Sequence, residues 1–278
     1  MQLSLLQSLI LGLISGFAEI LPVSSQAHRL VLLKLFGVNS DPAALRLMIH
    51  IGTVAALYLY CKGHIVRMMR AQRLVKIPKS RRKRPLDTDA LMDFSLLKTT
   101  LIPIILAFVL YSRLSFLKGS LLYVALLLLI NGLILYIPQF LPGANKTSGS
   151  LSRIDSLYFG LGGLLGILPG ISCIGTAISA GSIRGMDLKK GLDLALLMNI
   201  PVNIGFALFD LYDLLSAGAG SLSIGALFFS LLAGCAAFLG IAFGVRLLKK
   251  IAEGVGYSVF GFYSWGAALL TFVLYLAV

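Results

Sequence analysis

The chain predicts an all-α integral membrane protein: a polytopic helical bundle built from an inverted repeat with two re-entrant broken-helix hairpins. Three observations carry that reading. Of 278 residues, 58% are hydrophobic and only 13% charged, with a mean hydropathy of +0.93, whereas a soluble domain carries about a quarter charged residues. The apolar stretches have helix length and do not alternate in the roughly ten-residue strands of an outer-membrane barrel, which excludes that class. A short pattern also occurs twice, GFAEILPVSSQAH at 16–28 and GLLGILPGISCIG at 163–175. A shift of 147 positions carries Pro22 onto Pro169, and with it Gly16 onto Gly163, Ile20 onto Ile167, Leu21 onto Leu168 and Ser25 onto Ser172. Proline inside an apolar helix removes an amide donor and stops the helix. A helix broken at corresponding places in two halves of a membrane protein points to a binding site at the midplane.

The first segment, 1–38, is apolar but interrupted at Pro22 and the serines that follow. No basic stretch precedes Leu5–Leu13 and no small-residue cleavage site follows it, so a cleavable signal peptide is not expected. Seven further apolar segments read as candidate spans: 45–61, 94–112, 120–138, 155–168, 191–211, 222–244 and 257–277. Ten Lys or Arg fall between Lys62 and Arg84 with no acid among them, directly after the first of these. The net charge of +13 therefore sits beside the membrane, which argues for a topology signal and anionic headgroups and against nucleic acid. The stretch 78–90, PKSRRKRPLDTDA, reads as a disordered charged loop.

Placing 62–93 in the cytoplasm orients the rest. Segment 94–112 exits and 120–138 returns, leaving Lys146 and Arg153 inside, and 210–221, with Asp210 and Asp213 but no cation, lies outside. Segment 155–186 then begins inside near Arg153 and ends inside near Arg184, so it must dip and return, turning at Leu168-Pro169-Gly170. By the same count 1–38 enters and returns from the outer face. The expected organisation is one membrane domain over 1–278, with repeat 1 at about 1–112, repeat 2 at about 120–278 and a cytoplasmic basic loop at 62–93.

The chemistry-bearing residues cluster at the turns. Ser24-Ser25 and Ser172 begin the returning helices. Serine is a preferred N-cap, and a helix N-terminus also binds phosphate, so both readings stand. Glu19 is one of two glutamates and the only acid in the first forty residues. A carboxylate inside an apolar segment marks proton transfer or metal binding by default, against a structural hydrogen bond. His28 follows Ser25 by one helical turn, an arrangement suited to nucleophilic attack with proton transfer or to phosphate hydrogen bonding. His50, Asn199, Pro201 and Asn203 are polar or helix-breaking at membrane depth and are candidates to line a cavity with Pro22 and Pro169. His64 reads as a solvated loop residue. Gly52, Gly205 and the glycines of 160–166 read as close helix packing. Cys61, Cys173 and Cys235 are too scattered for a disulfide framework or a zinc site.

Glu19-Ile-Leu-Pro-Val-Ser-Ser-Gln-Ala-His28, Leu168-Pro-Gly-Ile-Ser172, Ile51-Gly52 and the segment from Pro201 to Phe209-Asp-Leu-Tyr212 together resemble the undecaprenyl-pyrophosphate phosphatase, or bacitracin-resistance, family. The resemblance covers essentially the whole chain. It implies a bacterial inner-membrane (plasma-membrane), multi-pass enzyme that removes the terminal phosphate of a C55 polyprenyl diphosphate for cell-envelope recycling. It further implies a divalent cation, Mg²⁺, and is compatible with a homodimer. In this reading Glu19 is base or metal ligand, Ser25 attacks or orients the diphosphate, His28 shuttles protons, and Ser24, Ser172, Arg29 and Arg184 serve phosphate binding. Two departures stand out. Ser15 replaces an acid of the first motif, and Cys173-Ile174 replaces Arg-Ser of the second, removing a guanidinium fork that cysteine cannot replace. These losses keep a second reading open, in which the same fold binds or flips polyprenyl phosphate without cleaving it.

Overall fold

A computed structural model of the chain describes residues 3–38, 40–111, 120–141, 143, 145–217, 223–254 and 257–277. Among these residues the chain is helical, in the order α1 (Leu5–Ile20), α2 (Ser25–Leu35), α3 (Ala43–Val75), α4 (Thr88–Tyr111), α5 (Leu121–Tyr136), α6 (Arg153–Leu164), α7 (Cys173–Ile183), α8 (Leu188–Ser216), α9 (Ile224–Gly254) and α10 (Val259–Ala277). Six of them, α3, α4, α5 with its 3-10 extension to Phe140, α8, α9 and α10, are long and apolar enough to cross a bilayer. The chain is an all-α polytopic membrane protein.

The expected interruptions are present. α1 starts on a capping box in which Ser4 and Gln7 bond each other's backbone, and it stops at Leu21, which turns extended before Pro22. The 155–168 segment is not a continuous span: α6 ends at Leu164, a 3-10 turn runs to Ile167, and α7 restarts after Ser172. α8, by contrast, runs through Pro201 without a break.

Three expectations are corrected. The basic segment is not a loop from 62, because α3 continues as helix to Val75. Lys, Arg, Met and Leu are good helix formers, and outside the bilayer nothing ends the hydrogen-bond ladder before Pro78. Residues 78–90 are not featureless: a 3-10 turn covers Lys79–Arg81, α4 begins at Thr88, Arg82 donates to the Ile77 and Val75 carbonyls at 2.8 and 3.3 Å, and Arg67 donates to Asp87 at 2.9 and 3.1 Å. His64 is not simply solvated, because its Nε2 meets Asp93 at 2.9 Å, where Lys190 also pairs. The expected limits at 112 and 222, and residues 218–221 of the acidic connection, lie outside the described residues.

Gly52, Gly160 and Gly205 pack closely as expected, and two glycines of α1 do so as well. Gly12 and Gly16 of α1 lie against the Ala233 and Ala237 backbone of α9, and Gly52 of α3 meets Gly234. Gly160 abuts Thr100 and Pro103 of α4, and Gly205 abuts Phe108. In lipid, with little hydrophobic drive between helices, such contact supplies the dispersion that holds a bundle. α1 lies on α9, α6 on α4, α3 on both α8 and α9, and α5 on α10. The largest buried cluster joins the first tip, at Ile20, Leu21 and Val23, to Ile167, Ile174 and Leu194–Met198.

Candidate functional site

The two breaks meet. Ser24 caps α2, its Oγ accepting from Ala27 N, and it is the one non-glycine residue with positive φ (65°) among those described. That conformation turns its Oγ across to the second tip, where Gly170 N donates to it at 3.0 Å. Gly170 has φ 125°, and a side chain there would strike Leu127 and Val124 of α5. Ser172 caps α7, accepting from Gly175 N at 3.1 Å, and its hydroxyl donates to the Leu21 carbonyl at 3.5 Å. Pro22 and Pro169 are both buried.

Asn131 of α5 joins the tips. It is fully buried. Its Nδ2 donates to the Pro22 carbonyl at 3.1 Å and to Ser264 Oγ at 2.9 Å, while its Oδ1 accepts from Ser172 N at 2.9 Å. Sequence reasoning missed it. The signal was an asparagine inside the apolar run LLYVALLLLINGLILY, a costly insertion that needs partners.

Glu19 sits one residue before the end of α1, partly buried, facing α8. Its Oε1 accepts from Asn203 Nδ2 at 3.0 Å and from Asn199 Nδ2 at 3.3 Å. Asn203 Oδ1 lies 2.7 Å from His50 Nδ1, which therefore carries a proton. His50 Nε2 is 3.5 Å from Asp210 Oδ2. Asp210 in turn holds Arg46 at 2.6 Å, and Arg46 also reaches Asp213 at 2.7 Å. One polar chain thus runs from Glu19 to the end of α8, and its far members, Arg46 and Asp210, neutralise each other. As a set, this chain was not foreseen. Asp210 and Asp213 had only marked a cation-free loop, and the pairing of residues 164 positions apart has no local signature.

The serine and histidine of α2 share a helix but not a hydrogen bond. Ser25 Oγ donates back to the Ser15 carbonyl at 3.0 Å, because the first residue of α2 lies beside the preceding helix. His28 Nδ1 donates to the Ser24 carbonyl at 2.8 Å, which leaves Nε2 to accept from Tyr263 OH at 2.7 Å. The Tyr263 ring stacks on the imidazole at 5.7 Å. The histidine is thus paired with α10 instead of with Ser25.

Neither expected cation stands free at the tips. Arg29 makes a bidentate contact with Asp41 at 3.1 and 3.2 Å, and only its Nη1, buried and without a partner, remains uncommitted. Arg184 is placed elsewhere: it caps the far end of the eleven-residue α7, about 16 Å from the tip at 1.5 Å per residue. There it pairs with Asp155 at 2.9 Å and lies over Tyr158. Cys173 lies within electrostatic range of Glu19, beside the tip.

Among the described residues no cluster of three or more His, Cys, Asp or Glu forms a metal cage. Around Glu19, however, two buried oxygens have no partner: Asn199 Oδ1, on an amide already bonded to Glu19, and Ser15 Oγ, one helical turn away on the same face. Hard oxygen donors with one carboxylate suit Mg²⁺, which keeps waters and phosphate oxygens as its other ligands.

The chain matches the family model described as Bacitracin resistance protein BacA over residues 8–270. It is 29% identical over 278 residues to undecaprenyl-diphosphatase 1 of Shouchella clausii, covering 98% of this chain and 96% of that one. It is 30% identical over 279 residues to an undecaprenyl-diphosphatase of Methanobrevibacter smithii, covering 98% of both, and 33% identical over 209 residues to one from a Nocardioides species, covering 75% of both.

Proposed function

The chain belongs to the bacitracin-resistance BacA family, and on that premise we propose that it is an undecaprenyl-diphosphatase, hydrolysing the terminal phosphate of a C55 polyprenyl diphosphate within the bilayer. The observation that carries the reading is Glu19. It is a carboxylate held by two amide donors at the point where two broken-helix tips interlock.

In this reading the diphosphate lies between the tips. Ser24 Oγ accepts two amides and keeps its own proton to donate to a phosphate oxygen, and Ser172 Oγ, now in a long bond to Leu21, turns to do the same. A water attacks the terminal phosphorus, Glu19 takes its proton, and the anhydride bond breaks. The leaving group departs as polyprenyl phosphate, and inorganic phosphate is the other product. His28, held by Ser24 and Tyr263, exchanges the proton with the leaving oxygen or with solvent. Ser25 orients α2 against α1, because its hydroxyl proton is given to the Ser15 carbonyl. A divalent cation such as Mg²⁺, held by Glu19, Asn199 and Ser15, would neutralise the diphosphate when bound. Arg29 Nη1, buried and without a partner, is one donor on α2 left for a phosphate oxygen. Arg184 takes no part.

We place the protein in the bacterial plasma membrane with the basic segment 62–93 in the cytoplasm, on the strength of its ten cations without an acid between Lys62 and Arg84. The packing of α1 on α9 and α6 on α4 supports an inverted repeat with tips approaching from opposite faces. A homodimer is compatible with this arrangement.

The test is phosphate release from C55 diphosphate by purified protein with Mg²⁺, beside Glu19→Gln. Release by the native chain, lost in Glu19→Gln with lipid binding intact, is the expected result. Binding of polyprenyl phosphate without release would leave the non-hydrolytic binding or flippase reading, which the cysteine at position 173 favours.

A further inference from the structure

We propose that the groove between α3, α4 and the start of α6 is a binding site for a phosphate group carried by an anionic lipid, separate from the Glu19 site. The groove encloses about 350 Å³ and is lined by Gln72 of α3, Phe94, Ser95, Lys98 and Ile102 of α4, and Arg153 at the first turn of α6. It has two cations and no carboxylate in its lining.

Two carboxylates on this side of the molecule are already engaged with other cations. Asp93 holds His64 and Lys190, and Asp155 holds Lys146 and Arg184. Among the described residues Lys98 and Arg153 make no ion pair, and Gln72 makes no side-chain hydrogen bond. The placement of Arg153 is not explained by its own helix. A cation in the first turn opposes the helix dipole, whereas an anion lying there would be favoured by both the dipole and the guanidinium. Guanidinium and ammonium together with a neighbouring hydroxyl and amide form a donor set for phosphate oxygens, and the lining has no carboxylate to hold a cation instead.

Depth identifies the carrier. Lys98 is the last charge on α4, and residues 99–111 contain none. α4 and α6 run side by side from that level, with Thr100 bonded to the Ser156 carbonyl and Gly160 against Pro103. Below the groove, Ile102, Ile105, Leu106 and Val109 are 61, 64, 52 and 67% exposed on one flank of α4. A phosphate seated on Lys98 and Arg153 would therefore have its acyl chains along an apolar face. That is the geometry of a phospholipid headgroup, and it gives a free phosphate no reason to prefer the site.

The experiment uses the full chain in detergent, titrated with short-chain phosphatidylglycerol, phosphatidylcholine and inorganic phosphate, with bound lipid counted by native mass spectrometry. Variants are Lys98→Gln/Arg153→Gln, the charge-keeping Lys98→Arg/Arg153→Lys, and Lys83→Gln/Arg84→Gln as a control with equal charge loss in the connecting segment. The expected result is phosphatidylglycerol bound ahead of phosphatidylcholine, weakened tenfold or more in the first variant only, with inorganic phosphate failing to compete at millimolar concentration. Equal weakening in the control would show general attraction to basic charge and overturn the site. No weakening in the first variant, or displacement by inorganic phosphate at those concentrations, would overturn it as well. Phosphate release by the variants is read in parallel, so failure of the lipid site and failure of the phosphatase reading are told apart.

Discussion

The amide of Gly170 donates to the hydroxyl of Ser24 at 3.0 Å, joining two residues 146 positions apart that both hold positive φ. Each tip thus stabilises the other's unusual backbone. Holding Ser24 at φ 65° costs about 1–3 kcal/mol by itself, and the cap to Ala27 together with the bond to Gly170 offsets it.

From this follows a graded stability series. Ser24→Ala should lower unfolding stability by about 1–2 kcal/mol, since it removes a cap and leaves the Gly170 amide unpaired. Ser24→Gly should cost less, because it relieves the backbone while losing the same bonds. Gly170→Ala should be worst, at about 2–4 kcal/mol, being strained at φ 125° and in collision with Leu127. Thermal unfolding in detergent reads the order, and Ser24→Gly worse than Ser24→Ala would contradict it.

Asn131→Leu is isosteric enough to fill its space but strands the Ser172 amide and the Pro22 carbonyl in the core. We expect a loss of about 3 kcal/mol and faster proteolysis at 20–25 and 168–172. A variant as stable as the native chain would show that the tips do not depend on α5.

Asn203→Leu removes the shorter amide bond to Glu19 and the partner of His50. If Glu19 is the base, kcat should fall about 10- to 100-fold with KM little changed, as for outer partners of functional carboxylates. A rise in KM alone would assign Asn203 to lipid binding.

Cys173→Arg puts a guanidinium at the N-terminus of α7, beside Glu19. Phosphate release should rise tenfold or more, and further when combined with Ser15→Glu, since a fixed donor of this kind contributes about 2–4 kcal/mol to a transition state. Native release equal to that of the double variant, and lost in Glu19→Gln, would show that Arg29 already supplies the missing charge.

Asp87 precedes α4 and is held below its ordinary value of 3.8 by the Ala90 amide first and the Arg67 guanidinium second. A depressed carboxyl stabilises above its unfolded value, and the contribution is lost as pH falls below about 4. The 62–93 segment should therefore loosen in acid, read by amide exchange at 88–91. Asp87→Asn should abolish that pH dependence while keeping the cap.

Much of this protein was legible from residue order alone. Composition and segment length determine a polytopic helical bundle, because a backbone in lipid must satisfy its own hydrogen bonds. The two Leu-Pro breaks with following serines were visible because proline and serine act locally, on the helix that contains them. Glu19, Asn199, Asn203 and His50 could be named one by one, since each is costly in an apolar segment. What only the tertiary structure decided is who meets whom. Ser24 finding Gly170, Asn131 bridging both tips, and His28 turning to Tyr263 instead of Ser25 are contacts across 41 to 235 positions. The fate of the arginines was decided the same way, Arg184 a helix length from the tip and Arg29 bound to Asp41. Their charge could be read from the chain, but their use depends on which carboxylate the fold brings within about 3 Å, and pairing at that range is set by helix packing, not by spacing in the sequence.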